Sequence, residues 1–411
     1  MKLCKILALA TASVLMAGSA AYAGCGISSG KISFVGNDFP AIQAVAAGVK
    51  ACEGDGVTVT INLNKDYDSL AAAALTAKPS QYSAVHATNT NLAPLVGSDL
   101  IRPLDDLVKT HGQGLEQNQL ITIDGKVVAV AFAMNAQHLF YRKDILDKLG
   151  LQPPKTYEEV LEVAKAAKAA GLMKYPFVIS GRAGWNLGQE FVNMYIGEGG
   201  AFFKPGTAEV AINNEQGVKA LTMLKDLTAF ANPDFLAWDA TDTQAQWISG
   251  EGAIGNLWGS RASAILDGAS PDIANNTVVA AAPTVDAGTL PATTLWWDGF
   301  AIATNVSDAE AEATFIAMMQ GISPENILPH SSDAVWLVKG YEPTPASAGV
   351  IATLNAGGAQ SYPYFPYIGL LHTALGDTLP KFFQGQSTAE QTLADVEAAY
   401  TTAAKAQGFL K

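Results

Sequence analysis

Residues 124–168, DGKVVAVAFAMNAQHLFYRKDILDKLGLQPPKTYEEVLEVAKAAK, set the tightest limits on how this chain can fold. Asp124-Gly125 supplies a tight turn whose glycine tolerates positive φ, and the apolar run 127–132 that follows suits a strand. After a long crossing, Leu139-Phe140-Tyr141 reads as a second strand. Pro153-Pro154 blocks a helix upstream, and Thr156 with Glu159 forms a capping box. Val160, Val163, Ala164 and Ala167 then recur at helical spacing until Gly171. Turn, strand, crossing, strand and capped helix in that order describe a crossover between two domains.

A chain of 411 residues exceeds what one hydrophobic core serves, so two domains of about 150 to 200 residues each are expected. Apolar residues make up 49% of it and charged ones only 15%, which is ample for buried sheets and argues against disorder. Lys2 and Lys5, the apolar run 6–16 and Ala21-Tyr22-Ala23 before Gly24 form a secretory signal peptide, residues 1–23, with cleavage expected after Ala23. No later run approaches the roughly 20 apolar residues of a membrane span. Without Lys2 and Lys5, 23 of the 25 basic side chains remain against 38 acidic ones, a net charge of −15. Such acidity disfavours nucleic acid as a partner.

Cys4 leaves with the signal, so Cys25 and Cys52 remain in a compartment where disulfides persist. Residues 32–35 read as the first strand, 39–52 as a helix and 57–63 as the second strand. In a βαβ unit the start of the first strand and the end of the crossing helix share one sheet edge. A Cys25–Cys52 disulfide is therefore expected, stabilising the fold by about 3 kcal/mol. Ala23-Gly24-Cys25 also fits the end of a lipobox, in which Cys25 would instead be acylated and anchor the protein to a membrane. Tyr22 stands where such a motif has an aliphatic residue, and the mass of the mature N-terminus separates the two readings.

Strands and helices alternate from residue 31 to about 107: ISFV, a helix over 42–50, VTVTINL, an Ala-rich helix over 68–77, then YSAVHA. Alternation of this kind implies a parallel sheet. Beyond the crossover, a strand over 175–180, helices over 186–196 and 215–230, and a strand over 253–257 make the second region α/β as well. WWDGFAIAT and the helix 308–319 read as material added to a finished lobe. The tail from 343 is rich in Pro, Gly and Tyr, then helical over 387–404.

Two catalytic patterns fail on context. Gly26-Ile27-Ser28-Ser29-Gly30 fits the G-x-S-x-G nucleophile pattern but precedes its strand, and Gly250-Glu251-Gly252-Ala253-Ile254-Gly255 enters a strand where a dinucleotide loop would leave one. His86, His111, His138, His330 and His372 are scattered, and Asn62, Asn64, Asp66 and Asp68 lack the Gly and Glu of a calcium loop. No metal or other cofactor is expected. What remains is aromatic and amide chemistry: Gly184-Trp185-Asn186, Gly255-Asn256-Leu257-Trp258 and Trp296-Trp297-Asp298-Gly299 each pair an aromatic with a polar residue beside glycine. Flat apolar rings suit the C–H faces of a sugar, and planar amide, carboxylate or guanidinium groups span neighbouring hydroxyls. Arg182 and Arg261 offer such groups, or serve as surface charges; each tryptophan is equally at home in a core.

From the crossover outward, the mature chain resembles the extracellular solute-binding proteins of carbohydrate ABC transporters, the group that includes maltose-binding protein. Residues 124–168 are similar to that family's Asp-Gly-Lys, hinge strand, Tyr-Asn-Lys-Asp and Pro-Pro-Lys-Thr-Trp-Glu-Glu succession, with Arg142 for the usual Asn and Tyr157 for the usual Trp. WISGEGAIGNLWGSRA resembles its Gly-x-Ala-Ala-Met and Gly-x-Trp elements. The resemblance implies an α/β fold of the class II periplasmic-binding-protein type: two α/β lobes joined by a multi-strand hinge, with a cleft between them. Residues 24–134 with 287–335 would form the first lobe, and 135–286 with 336–411 the second. It implies a ligand set of Asn37 and Asp38 after the first strand, His86, Thr88 and Asn89 after the third, Asn135 on the hinge, Trp185 and Trp258 in the second lobe, and, less tightly, Trp297, Asp298 and Tyr364.

The function implied is that of a secreted, monomeric, high-affinity receptor. It would close on a sugar or polyol and deliver it to the permease subunits of an ABC importer, working in the periplasm without catalysis. The same fold serving a polyamine or a sulfonate is one alternative. A glycoside hydrolase using Asp38 and Asp298 is another, since that reaction needs two placed carboxyl groups.

Overall fold

Alternating apolar strands and helices at the N-terminus build one edge of a sheet. Strands β1 (Gly30–Gly36), β2 (Val57–Leu63) and β3 (Ala84–Thr88) lie side by side, with β1 in the middle and parallel to both. The first crossing is the helix Pro40–Lys50, where Pro40 presets the first turn and Ile42, Val45 and Val49 face inward. This computed structural model describes residues 25–286 and 288–411, the side chains of Asp68 and Ser69 apart. The expected signal segment 1–23 and its cleavage point lie outside the described residues.

The remaining strands are β4 (Leu120–Ile123), β5 (Lys126–Arg142), β6 (Phe177–Val178), β7 (Ile254–Trp258), β8 (Thr277–Ala280), β9 (Thr294–Ile302), β10 (Val335–Trp336) and β11 (Gln360–Ser361). Among the described residues they form one curled sheet of order β2-β1-β3-β9-β5-β7-β6, with β4, β8 and β10 also on β5 and β11 on β9. Where two strands separated by a crossing were expected at 127–132 and 139–141, there is a single strand of 17 residues, β5. Its polar middle stays extended because each side chain finds a partner. Asn135 Nδ2 donates to Ser260 Oγ at 3.1 Å, Gln137 Nε2 donates to Glu190 Oε1 at 2.8 Å, and His138 Nδ1 lies 3.3 Å from the Leu139 carbonyl. The residues read as an addition, 296–304, instead supply the centre of the sheet. β9 pairs antiparallel with β3 on one side (Thr88↔Asp298) and with β5 on the other (Asn135↔Trp296).

β5 and β9 thus pass together from one apolar core to another. Phe34, Ile42, Phe132, Phe300, Phe315 and Trp336 belong to the first core, and Leu139, Phe191, Trp258, Trp296, Leu375 and Tyr400 to the second. Each core carries its own helices on the sheet, so the fold is α/β in two lobes. Ala292 and Trp296 pack in the second core, and Trp336 and Val338 in the first.

Local signals account for much of the rest. The helix Tyr157–Ala169 begins at the anticipated capping box: Thr156 Oγ1 accepts from the Glu159 amide at 3.3 Å, and Glu159 Oε2 accepts from the Thr156 amide at 3.2 Å. The strand expected over 175–180 shortens to β6. The Pro- and Tyr-rich tail contains an unforeseen helix, Ile368–Phe383, which accommodates Pro380 because the Gly376 carbonyl, left without that residue's amide, accepts from the Gly184 amide at 3.1 Å. Cys25 and Cys52 are joined as a disulfide with Cα atoms 5.0 Å apart. With its sulfur engaged there, Cys25 has no thiol for a lipid thioether.

A buried polar network braces the crossing. Glu190 sits in the helix Trp185–Gly197, and the same helix contributes Gln189 and Asn193. Asn193 Nδ2 donates to Gln137 Oε1, while Gln189 Nε2 donates to Asn193 Oδ1 and to Thr294 Oγ1, both at 2.8 Å. Thr294 Oγ1 also accepts from Trp296 Nε1 at 2.8 Å. Burial pushes the Glu190 carboxyl up to about 8, opposed only in part by the Gln137 hydrogen bond.

Candidate functional site

A parallel sheet delivers loops to one end of its strands, and in open α/β sheets ligands bind there. Asn37 and Phe39 follow β1, Lys65, Asp66 and Tyr67 follow β2, and Thr90 follows β3. All line a cavity of about 320 Å³ between the lobes. His86 and Thr88 on β3 and Asn135, Trp296 and Asp298 on the crossing strands form its floor. The second lobe closes it with Arg182, Trp185, Asn186, Asp239, Thr241, Trp258, Ser260 and Arg261.

Three indoles make one wall. Trp185 lies offset against Trp258 (ring centroids 6.2 Å apart, 28° between planes), and Trp296 meets both edge-on at 5.5 and 5.9 Å. Behind Trp185 the His372 ring stacks at 5.0 Å. Its Nε2 donates to the Trp185 carbonyl at 2.8 Å, leaving Nδ1 to accept from the Tyr362 hydroxyl at 2.6 Å. Burial lowers the His372 imidazole to about 4, so it is neutral in this arrangement. Trp258 is 9% exposed and Trp296 6%, whereas Trp185 keeps 39%.

The rest of the lining is largely polar. His86 Nε2 lies 2.9 Å from Asp298 Oδ1, its ring stacks on Tyr67 at 5.0 Å, and its Nδ1 is buried without a protein partner. Asp239 caps the helix Ala240–Ile248, its Oδ1 accepting from the Thr241 amide at 2.7 Å. Its Oδ2 lies 3.2 Å from Arg182 Nη1 and 3.5 Å from Lys65 Nζ. The Lys65 contact spans the cleft, because Lys65 belongs to the first lobe and Asp239 to the second. Burial works against the Asp239 charge, but the Thr241 amide and the two cations outweigh it and hold the carboxyl below its usual range. Arg261 is lowered by burial, with the Asp239 and Asp38 charges opposing. Asn135 joins β5 to the second lobe, its Oδ1 accepting from the Ser260 amide at 3.1 Å.

Of the residues singled out in the sequence, Asn37, His86, Thr88, Asn135, Arg182, Trp185, Trp258, Arg261 and Asp298 line this cavity. Four do not. Asp38 turns to its own helix, accepting from Gln43 Nε2 at 2.7 Å. Asn89 ties β3 to β9, its Oδ1 accepting from the Trp297 amide at 3.0 Å. Trp297 packs on the first core, because side chains alternate along β9 and its neighbour Trp296 takes the cavity face. Tyr364 stands 42% exposed outside the cavity. Phe39, Lys65, Asp66, Tyr67, Asp239 and Ser260 were not anticipated, while Asn186 and Trp296 stood in the aromatic motifs but not in the expected ligand set. Lys65 to Tyr67 follow a parallel strand directly, and Asp239 with Asp242 carries a capping-box pattern; both signals were available. No group of three or more His, Cys, Asp or Glu side chains able to hold a metal occurs among the described residues.

Comparison with known proteins bears on this architecture. A Deinococcus radiodurans protein described as a probable ABC transporter-binding protein is 29% identical over 196 residues, 46% of each chain. The sn-glycerol-3-phosphate-binding periplasmic protein UgpB of Escherichia coli K12 is 28% identical over 153 residues, 33% of this chain and 34% of that one. The matches thus span about half or less of these relatives' length. Among solved structures, the ABC transporter solute-binding protein of Agrobacterium radiobacter K84 in complex with ribitol superposes with a TM-score of 0.80 at 21% identity, covering 92% of this chain and 99% of that one. Maltose-bound MalE3 of T. maritima gives 0.79 at 19% identity, covering 91% and 100%. The Agrobacterium vitis S4 protein with bound D-mannitol gives 0.75 at 18%, covering 92% and 99%. These likenesses establish a shared two-lobed fold, and the model of the bacterial extracellular solute-binding protein family matches residues 46–354. With most of its length matched in this way, the chain belongs to the bacterial extracellular solute-binding proteins.

Proposed function

We propose that this protein is a receptor for a neutral sugar or polyol, which it binds between its lobes and hands to an ABC importer. The observation that carries this reading is the composition of the cleft: three indoles together with amide, hydroxyl and carboxylate groups, and charges in balance. Lys65, Arg182 and Arg261 are matched by Asp66, Asp239 and Asp298. A polyamine would call for surplus carboxylates, and a sulfonate or phosphate for surplus cations. An uncharged polyhydroxylated ligand needs neither. It presents C–H faces to indole and paired hydroxyls to Arg, Asp and Asn. That the solved proteins of this fold cited above hold ribitol, maltose and mannitol supports the same class.

Ligand bridging both lobes favours the closed arrangement by contacts available only there. Residues 25–134 with 297–341 are proposed as one lobe, and the remainder as the other. The site comprises the nine anticipated residues together with Tyr67, Asp239, Ser260 and Trp296. Work in the periplasm after removal of residues 1–23, action as a monomer and docking to permease subunits belong to the same proposal, as does the lack of catalysis. Hydrolysis by Asp38 and Asp298 is disfavoured because Asp38 lies outside the cavity and Asp298 is engaged by His86.

Isothermal titration of the mature protein against sugars and polyols, with putrescine and taurine as competitors for the assignment, tests the reading. Binding by a carbohydrate that weakens about a hundredfold in Trp258→Ala is expected, since a buried aromatic anchor carries that much of a small site's affinity. Tight binding of putrescine or taurine with no response to any carbohydrate overturns it.

A further inference from the structure

A second chamber lies between the lobes on the far side of Trp185. It measures about 410 Å³ and shares Thr90 and Trp185 with the first. Ala72, Pro94 and Leu95 of the first lobe face Gly184, Gly369 and Thr373 of the second across it. The lobes are already drawn together in this structure, since Lys65 reaches Asp239 at 3.5 Å. The space is lined by small side chains and stays open to solvent along Ala72, Pro94, Thr373 and Asp377, which are exposed. A Cβ added at Gly369 would meet no other atom within 4 Å. Each chamber by itself falls in the range of about 300–1,000 Å³ in which small-molecule sites are found.

We infer that the second chamber is a ligand subsite and that the solute is an oligosaccharide of two or more rings, not a single ring or a short polyol. The inference rests on the carbohydrate reading above and extends it. One ring occupies the tryptophan-walled chamber. The next passes the exposed edge of Trp185 and lays its C–H face on Ala72, Pro94 and Leu95, with Thr90, Thr373 and Asp377 near for its hydroxyls. Trp185 is the one indole of the cluster with surface free for both units. A single-ring ligand would leave this apolar lining against water and forgo its burial.

Titration calorimetry on the mature protein tests this with glucose, mannitol and ribitol against maltose, cellobiose and laminaribiose. At least one disaccharide is expected to bind about tenfold or more tighter than any single-ring or acyclic probe. Gly369→Phe fills the chamber from the second lobe. It should weaken the disaccharide about tenfold while changing single-ring binding by less than about twofold. Ala72→Phe fills the chamber from the first lobe and should do the same, so a folding defect in one variant does not decide the matter. Equal affinity for short and long probes, unaffected by either phenylalanine, overturns this inference and leaves the carbohydrate reading standing. Binding of taurine or putrescine alone overturns both.

Discussion

Glu190→Gln is expected to make the protein more stable at neutral pH, although it alters a buried residue in a hydrogen-bonded network. The carboxyl has an ordinary value of 4.5 and is raised to about 8 in the folded chain. The native state therefore holds its proton more tightly than the unfolded state does. Below about pH 4.5 both states are protonated and the group costs nothing. As pH rises above that value, the unfolded chain gains the free energy of ionising while the native chain does not. Each pH unit removes about 1.4 kcal/mol of stability until the folded carboxyl itself ionises near pH 8. At pH 7 the deficit amounts to about 3 kcal/mol. Glutamine has the shape of the protonated carboxyl and keeps an oxygen to accept from Gln137 Nε2, but it cannot ionise in either state. Urea unfolding of the two proteins, followed by tryptophan fluorescence at pH values from about 4 to 8, measures the difference. The variant should match the parent at the acid end and exceed it by about 3 kcal/mol at pH 7. A stability difference that does not grow with pH, or that grows in the parent's favour, refutes the assignment of a neutral buried carboxyl.

Two further outcomes are expected. Replacing Cys25 and Cys52 together by serine releases a loop with a sequence separation of 27, which lowers stability by about 3.5 kcal/mol on the loop-entropy relation; a thiol count on the unreduced parent should find none. Lys65→Met removes an ion pair whose lysine is half exposed. Ligand affinity should fall about two- to fivefold, an effect that shrinks as salt is added, whereas a salt-independent loss would point to packing instead.

What the sequence disclosed, and what it withheld, follows the range of the interactions involved. The capping box at Thr156 and Glu159 and the first βαβ unit with its cysteine pair are local patterns, and each stands where expected. β5 was harder, because Asn135, Gln137 and His138 break an apolar run and look like a crossing. Their partners Ser260 and Glu190 are far away in the chain. β9 shows the same limit: the pattern reveals a strand but not that its place lies between β3 and β5. In the cleft, residues at strand ends were within reach. The choice between Trp296 and Trp297 depended on a register that one residue inverts. The capping box marks Asp239 as a helix start, but its contact with Lys65 across the lobes is encoded by no local pattern.

The central position of β9 also bears on how the molecule is made. β3 is complete by Thr88, yet the neighbour it pairs with along its whole length, Ala84↔Ile302 to Thr88↔Asp298, is among the later segments to be synthesised. Until then the N-terminal half of the chain is a sheet with an open edge, and most of the C-terminal lobe lies in the sequence between. Pairings this distant are slow to form and cannot begin until their second strand has been made. The centre of the sheet is thereby the part of the first lobe that closes last, after residues 294–302 have been made.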